Sequence, residues 1–146
     1  MAQSTSFKSS ASILLWDENL SLTNVPRLTP ATVKMHLPEL HATITSHYAM
    51  IYLPTKNGSE KAGNAEFTFS GDLKSENFEG LSGSFITRGI GTFDASCYRV
   101  EGKFDIIPGA GTGELGRLFT SGGSGSFKSD DKEPTKIHYE FKVSLP

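Results

Sequence analysis

Three Gly-x-Phe triplets lie within residues 83–104, GSFITRGIGTFDASCYRVEGKF, and a fourth follows at residues 125–127, GSF. In each triplet the glycine and the phenylalanine are two positions apart, so they share one face of an extended strand. The missing side chain lets the backbone bend or bulge, while the ring fills space on the concave side. Strands that repeat this device predict a small, strongly curved antiparallel barrel.

Alternation of apolar and polar residues marks strands on both sides of these triplets. The last strand is the clearest, since its apolar positions are Ile137, Tyr139, Phe141, Val143 and Leu145. We predict eight strands, near residues 10–17, 31–37, 42–53, 65–73, 83–94, 97–107, 117–128 and 136–145. One apolar and one polar face per strand is typical of antiparallel sheets. Because no helix is expected to cover a flat sheet, the predicted fold is an all-β, closed, antiparallel, eight-stranded barrel.

Length and composition indicate one domain over residues 1–146, with residues 1–9 as a flexible start. Ten Phe, four Tyr and one Trp supply much of the core. The net charge is −2 and no run of Lys or Arg occurs, which argues against a nucleic-acid surface. The N-terminus lacks a basic segment followed by a long apolar stretch, and the run 11–16 is too short for a membrane span. We therefore predict a cytoplasmic protein that binds neither nucleic acid nor membrane.

The strand over residues 42–53 differs from the others because both of its faces are substantially apolar. Burial on both sides is expected, and a subunit interface is its simplest cause, so we predict a homo-oligomer, a dimer or trimer. An N-terminal segment folded over the outside is the competing explanation. Residues 18–30, with Pro26 and Pro30, are predicted to form a long connection between the first two strands.

The loop at residues 108–115, PGAGTGEL, combined with the GSF triplet at 83–85 and the GTF triplet at 91–93, resembles a known pattern. It is the pattern of a family of small barrels labelled only as domain of unknown function 3224. The resemblance covers roughly residues 30–145, and it is loose at residues 116–119 and before residue 60.

This resemblance implies an eight-stranded barrel of the kind found in allene oxide cyclase and dirigent proteins. Those proteins bind apolar small molecules inside the barrel and direct cyclisation or coupling without a cofactor, commonly as oligomers. Because the family itself has no assigned chemistry, the resemblance supplies no catalytic residues.

No complete catalytic or cofactor motif is present in the sequence. The glycine-rich loop lacks the Gly-Lys-Ser/Thr ending of a P-loop and the spacing of a dinucleotide fingerprint. His36 and His41 are separated by a proline break, which does not suit a metal site on rigid elements. Cys97 is the single cysteine, and no Ser-His-Asp arrangement is readable. We therefore expect neither a metal nor a cofactor.

The tyrosines are the strongest candidates for chemistry. A buried phenol needs a hydrogen-bond partner, and a ligand oxygen that develops charge during a reaction is one such partner. The candidate catalytic residues are Tyr48, Tyr98 and Tyr139, with Glu114 or His47 to move a proton. The candidate substrate-binding residues are Tyr52, Phe67, Phe69, Phe85, Phe104 and Phe141.

These features favour a cofactor-independent cyclase or isomerase acting on a small hydrophobic metabolite, polyketide-like or terpenoid-like. The cavity would fold a flexible substrate into a reactive conformer. A lipocalin-like carrier that uses the same cavity without chemistry is the alternative. A third interpretation is a filled barrel that acts only through its outer surface, and an interior packed solid by phenylalanine rings would favour it over both of the others.

Overall fold

A computed structural model shows a closed antiparallel barrel. The structure describes residues 6–18, 27–53, 64–94, 99–133 and 136–144. Within these residues eight strands follow one another in chain order around the barrel. They are β1 (Ser6–Glu18), β2 (Arg27–Leu37), β3 (Ala42–Tyr52), β4 (Ala65–Phe78), β5 (Leu81–Asp94), β6 (Arg99–Ile106), β7 (Gly123–Ser129) and β8 (Ile137–Val143). Since β8 pairs with β1, the barrel closes and the predicted fold class is confirmed.

The main departure from the predicted strands lies at residues 117–128. A short helix, α1 (Gly113–Leu118), occupies the start of this segment, and β7 begins only at Gly123. Leu115 and Phe119 are four residues apart and almost completely buried, so they share the buried side of a helical turn. Burial of this pair favours a helix where alternation suggested a strand.

The first two strands are longer than the sequence suggested. Ser6 pairs with Lys142, so residues 6–9 belong to the barrel wall rather than to a flexible start. Residues 27–30 belong to β2, and Pro30 is an exposed position opposite Ala49. The remainder of the predicted connection, residues 19–26, lies outside the described residues.

Aromatic rings inside the barrel lie over glycines on neighbouring strands. A Cβ atom added at Gly102 would lie 2.5 Å from Cζ of Phe127, its cross-strand partner. The same register also pairs Phe67 with Gly91, Phe69 with Gly89, Phe104 with Gly89, Phe104 with Gly125 and Phe141 with Gly125. At Gly91, Gly102 and Gly125 an added Cβ would lie against a ring from a neighbouring strand, so three of the four Gly-x-Phe triplets use their glycine to make room for a ring.

One end of the barrel, here called the α1 end, is sealed by short helical segments. A 3-10 helix at Pro38–Leu40 and α1 both lie there, and Leu40, Leu115 and Phe119 are at most 2 % exposed. The ring of Phe119 lies 4.6 Å from the ring of Phe85 between centroids. Rings at this spacing leave little space for a ligand.

The opposite end, here called the Glu18 end, is shaped by an irregularity in β1. A register shift between Ile13 and Leu15 moves the alternation by one residue. As a result Trp16 pairs with the inward-facing Val33, and Glu18 pairs with the inward-facing Ala31. The bulge therefore turns an indole and a carboxyl group towards the concave side of the sheet.

Candidate functional site

Tyr48 and Tyr139 lie together inside the barrel, 5 % and 3 % exposed. Tyr48 packs against Phe67 and Phe69 at centroid distances of 5.0 and 5.2 Å, and Tyr139 packs against Phe127 at 5.1 Å. Burial raises the pKa of Tyr48, an effect partly offset by hydrogen bonding to the Tyr139 side chain. Burial also raises the pKa of Tyr139 well above its ordinary value. Both phenols therefore remain protonated donors at neutral pH.

Rings occupy the surroundings of this phenol pair. Of the residues proposed to bind substrate, Phe67, Phe69, Phe104 and Phe141 are at most 5 % exposed, and Phe85 is fully buried at the α1 end. Phe104 and Phe141 have centroids 5.5 Å apart, and the Tyr139 hydroxyl lies 3.6 Å from Sδ of Met35. The structure brings the predicted interior residues together, and it does so as ring packing around the phenols.

Of the remaining candidate catalytic residues, His47 and Glu114 lie away from the phenols. His47 is exposed on the outer face of β3, where its Nδ1 lies 3.4 Å from Oγ1 of Thr32. Glu114 is exposed in the first turn of α1, and its Oε1 accepts a hydrogen bond from the Ser82 backbone N–H at 3.2 Å. Tyr98 lies outside the described residues. Neither His47 nor Glu114 is positioned to exchange a proton with Tyr48 or Tyr139.

The two apolar faces of β3 have different surroundings. Its inward positions, including Tyr48 and Tyr52, are buried in the barrel. On the outer face Ile51 is 38 % exposed and pairs with Leu28, which is 62 % exposed. Residues 6–18 form β1, which lies beside β2 in the barrel wall, so they do not cover the outer face of β3. The alternative explanation, an N-terminal segment folded over this face, is therefore wrong for the described residues. The subunit interface remains a prediction.

A polar cluster that the sequence did not reveal surrounds Glu18. Oε2 of Glu18 accepts hydrogen bonds from the Tyr52 hydroxyl at 2.6 Å and from the Thr29 hydroxyl at 2.7 Å. Oε1 accepts a third from Nε1 of Trp16 at 3.1 Å. Thr29 is 1 % exposed and Tyr52 is 9 % exposed, so packing fixes two of the three donors. Hydrogen bonds to a carboxylate are stronger than those between neutral groups.

Two apolar side chains near this cluster are accessible from the concave side. Ile13 and Trp16 pair with the inward-facing Met35 and Val33, yet they are 44 % and 45 % exposed. The indole of Trp16 lies 6.3 Å from the ring of Tyr48. The inward side chains of β2 and β3 are buried, whereas these two inward side chains of β1 are not. Solvent therefore reaches the concave surface beside β1. We call Ile13, Trp16, Glu18, Thr29 and Tyr52 the Glu18 site.

The outer wall offers a different kind of concavity. A groove of about 1060 Å³ runs over β5 to β8 and part of β1. Its charged lining residues have both signs and are Lys8, Lys103, Lys128, Glu39, Glu101 and Glu140. A ligand of one charge would meet repulsion as well as attraction along this groove, so it is a weaker candidate than the Glu18 site.

The described residues contain neither a cluster of metal ligands nor a membrane-spanning helix. No group of three or more His, Cys, Asp or Glu side chains among them is arranged to hold a metal ion. None of the helices formed by these residues has the length and apolar character needed to cross a membrane.

Comparison with known proteins places the chain in a family. The model of a family described as protein of unknown function (DUF3224) matches residues 7–142. A crystal structure of a DUF3224 protein of unknown function from Shewanella oneidensis MR-1 superposes with a TM-score of 0.71. The two chains are 18 % identical and each is covered to 99 %, which is a likeness of fold. No curated protein matches the sequence. The chain belongs to the DUF3224 family.

Proposed function

We propose that this protein binds a small, largely apolar molecule that carries a hydrogen-bond donor, preferably an amine, at the Glu18 site. The observation that supports this proposal best is the geometry around Glu18. Its carboxylate is held by three donors beside a half-exposed indole on the concave side of the barrel. Apolar surface with a few fixed polar groups is the usual character of a small-molecule site.

Among the described residues three donors reach the Glu18 carboxylate, which leaves it capacity for one more. A carboxylate offers about four lone-pair sites, and Tyr52, Thr29 and Trp16 use three of them. Among the described ion pairs, none involves Glu18. An ammonium group would therefore add both the missing donor and a compensating positive charge.

The apolar part of the ligand would lie against Trp16 and Ile13. An indole is the best aromatic partner for a cation, and such contacts contribute about 0.5–2 kcal/mol. Trp16 thus favours the same ligand class as Glu18, since an ammonium group is attracted to the face of its indole.

Catalysis inside the barrel is less well supported than binding at its end. Cyclisation or isomerisation in the manner of allene oxide cyclase or dirigent proteins requires substrate to reach Tyr48 and Tyr139, which rings enclose. A general acid also works best when its pKa lies near the working pH, and burial raises both phenol pKa values instead. A polyketide-like or terpenoid-like substrate and a cytoplasmic location remain predictions from the sequence.

Calorimetric titration with three eight-carbon compounds tests the proposal. We expect n-octylamine to bind at least tenfold more tightly than octanoate, with n-octanol between them. Glu18→Gln should weaken octylamine binding about tenfold, which corresponds to about 1.4 kcal/mol, and should leave octanol binding nearly unchanged.

The matched control is Glu114→Gln, because that carboxyl is exposed at the α1 end. This variant should bind octylamine as the unaltered protein does. Equal affinity for octylamine and octanoate would contradict the proposal. That comparison uses the unaltered protein, so it decides the matter even if Glu18→Gln does not fold.

A further inference from the structure

β1 leaves a different edge unpaired in each half of its length. Its first half, Ser6–Ala11, pairs with β8, and Glu39 in the 3-10 helix caps the other edge. The backbone N–H and the hydroxyl of Ser10 donate to Oε1 of Glu39 at 3.2 and 2.7 Å. Capping of this kind protects a strand edge from pairing with another chain.

The second half of β1 has no comparable cap among the described residues. Ser12–Glu18 pair with β2 along one edge, and β8 begins at Ile137, whose partner is Ala11. No described strand pairs with the other edge of Ser12–Glu18.

The side chains of this segment are also accessible. All residues from Ser12 to Asp17 are exposed, and the apolar ones are Ile13 at 44 %, Leu14 at 58 %, Leu15 at 47 % and Trp16 at 45 %. An exposed apolar strand with unpaired backbone groups is a template for a further strand.

We propose that the further strand is the same segment of a second copy, which makes the protein a two-fold symmetric dimer. Antiparallel pairing of identical strands about a two-fold axis is self-complementary. A register centred between Leu14 and Leu15 places Leu14 opposite the partner's Leu15 and Asp17 opposite the partner's Ser12. Parallel pairing would place Asp17 beside the partner's Asp17, and like charges opposite each other are destabilising.

This dimer uses a different part of the molecule from the β3 face that the sequence suggested. The register also places Ile13 opposite the partner's Trp16, so two side chains of the Glu18 site become cross-strand neighbours in the dimer. The two proposals still have separate readouts, because sedimentation measures association of the protein alone and the titration measures the preference for octylamine over octanoate. A monomeric protein that prefers octylamine would contradict the dimer alone, and a dimer without this preference would contradict the ligand proposal alone.

Sedimentation equilibrium tests the dimer. The unaltered protein should be dimeric at micromolar concentration, and Leu14→Lys combined with Leu15→Lys should raise the dimer dissociation constant at least a hundredfold. The matched control is Ile90→Lys, which replaces an apolar residue that is 66 % exposed on the outer face of β5. It should leave the dissociation constant unchanged. A monomeric unaltered protein, or an equal effect of Ile90→Lys, would overturn the proposal.

Disulfide trapping tests the register. In a Cys97→Ser background, a mixture of Ser12→Cys and Asp17→Cys proteins should form mixed disulfide dimers, and Asp17→Cys alone should form few. Efficient cross-linking of Asp17→Cys alone would exclude the antiparallel register. These variants keep both leucines, so trapping remains decisive if the double lysine variant does not fold.

Discussion

At the scale of single residues, the barrel depends on pairs of a glycine and a ring rather than on either alone. Glycine in a strand normally costs about 0.5–1 kcal/mol relative to alanine, because it loses more conformational freedom on folding. At Gly102 glycine is favoured over alanine, since an added Cβ would lie 2.5 Å from the Phe127 ring. The sequence predicted that such triplets bend strands around rings. It did not show which ring covers which glycine, because that depends on register between strands distant in sequence.

Gly102→Ala should therefore lower the free energy of unfolding by about 1–3 kcal/mol, the usual range for overpacking a filled core. Urea denaturation measures the change. Ser126→Ala, at an exposed position of β7, is the control and should change stability by less than about 0.5 kcal/mol.

Combining Gly102→Ala with Phe127→Leu should recover part of the loss, because the smaller side chain makes room for the new methyl group. The two effects should thus be less than additive. Strict additivity in the double variant would show that the ring and the glycine do not share this space.

The phenol pair predicts how stability depends on alkaline pH. The unfolded chain releases tyrosine protons near pH 10, whereas burial raises the folded pKa values of Tyr48 and Tyr139. The two phenols therefore contribute fully to the free energy of unfolding below pH 10, and this contribution is lost as the pH rises towards their folded-state pKa values. Thermal unfolding between pH 8 and pH 11 should show this fall.

Tyr139→Phe should reduce the slope of that fall, because one of the two linked groups is removed. Leu115→Ala is the control, since it weakens packing at the α1 end without removing an ionisable group. It should lower stability at every pH and keep the slope. An unchanged slope in Tyr139→Phe would contradict the assignment of the alkaline transition to these phenols.

At the scale of elements, the regular strands were predictable and two local irregularities were not. Alternation of apolar and polar residues located β4, β6 and β8, because their inward positions are apolar and their outward positions are polar. The bulge in β1 carries no clear signal, and simple alternation from Ala11 would have put Asp17 inside and Glu18 outside. That is why the Glu18 site was missed. The spacing of Leu115 and Phe119 was a readable sign of α1, but the glycines before it favoured a loop and the residues from 117 onwards were predicted as a strand.

Helix α1 should act as a structural plug and take no part in ligand binding. Phe119→Ala should cost about 3–5 kcal/mol, since this ring is 2 % exposed and contacts Phe85 and Phe78. Glu114→Ala should cost less than about 0.5 kcal/mol, because its hydrogen bonds to Ser82 are exposed. Urea denaturation compares the two variants, and a large effect of Glu114→Ala would contradict this division of roles.

At the scale of the whole molecule, the barrel combines a sealed end, an interior crowded with rings and an accessible concave edge beside β1. The closed architecture followed from period-two faces that had no other cover. The sequence did not show whether the barrel interior is open or filled, because the same phenylalanines can line a cavity or occupy it. The crowded interior moves the expected ligand from the centre of the barrel to the Glu18 end.

The emission of Trp16 tests this placement most directly, because it is the only tryptophan in the sequence. Titration with n-octylamine should change the intensity and wavelength of the indole emission saturably, with the same midpoint as the calorimetric heat. Octanoate at the same concentrations should leave the spectrum nearly unchanged. Calorimetric binding of octylamine without any change in Trp16 emission would contradict the account, since the ligand would then bind elsewhere on the molecule.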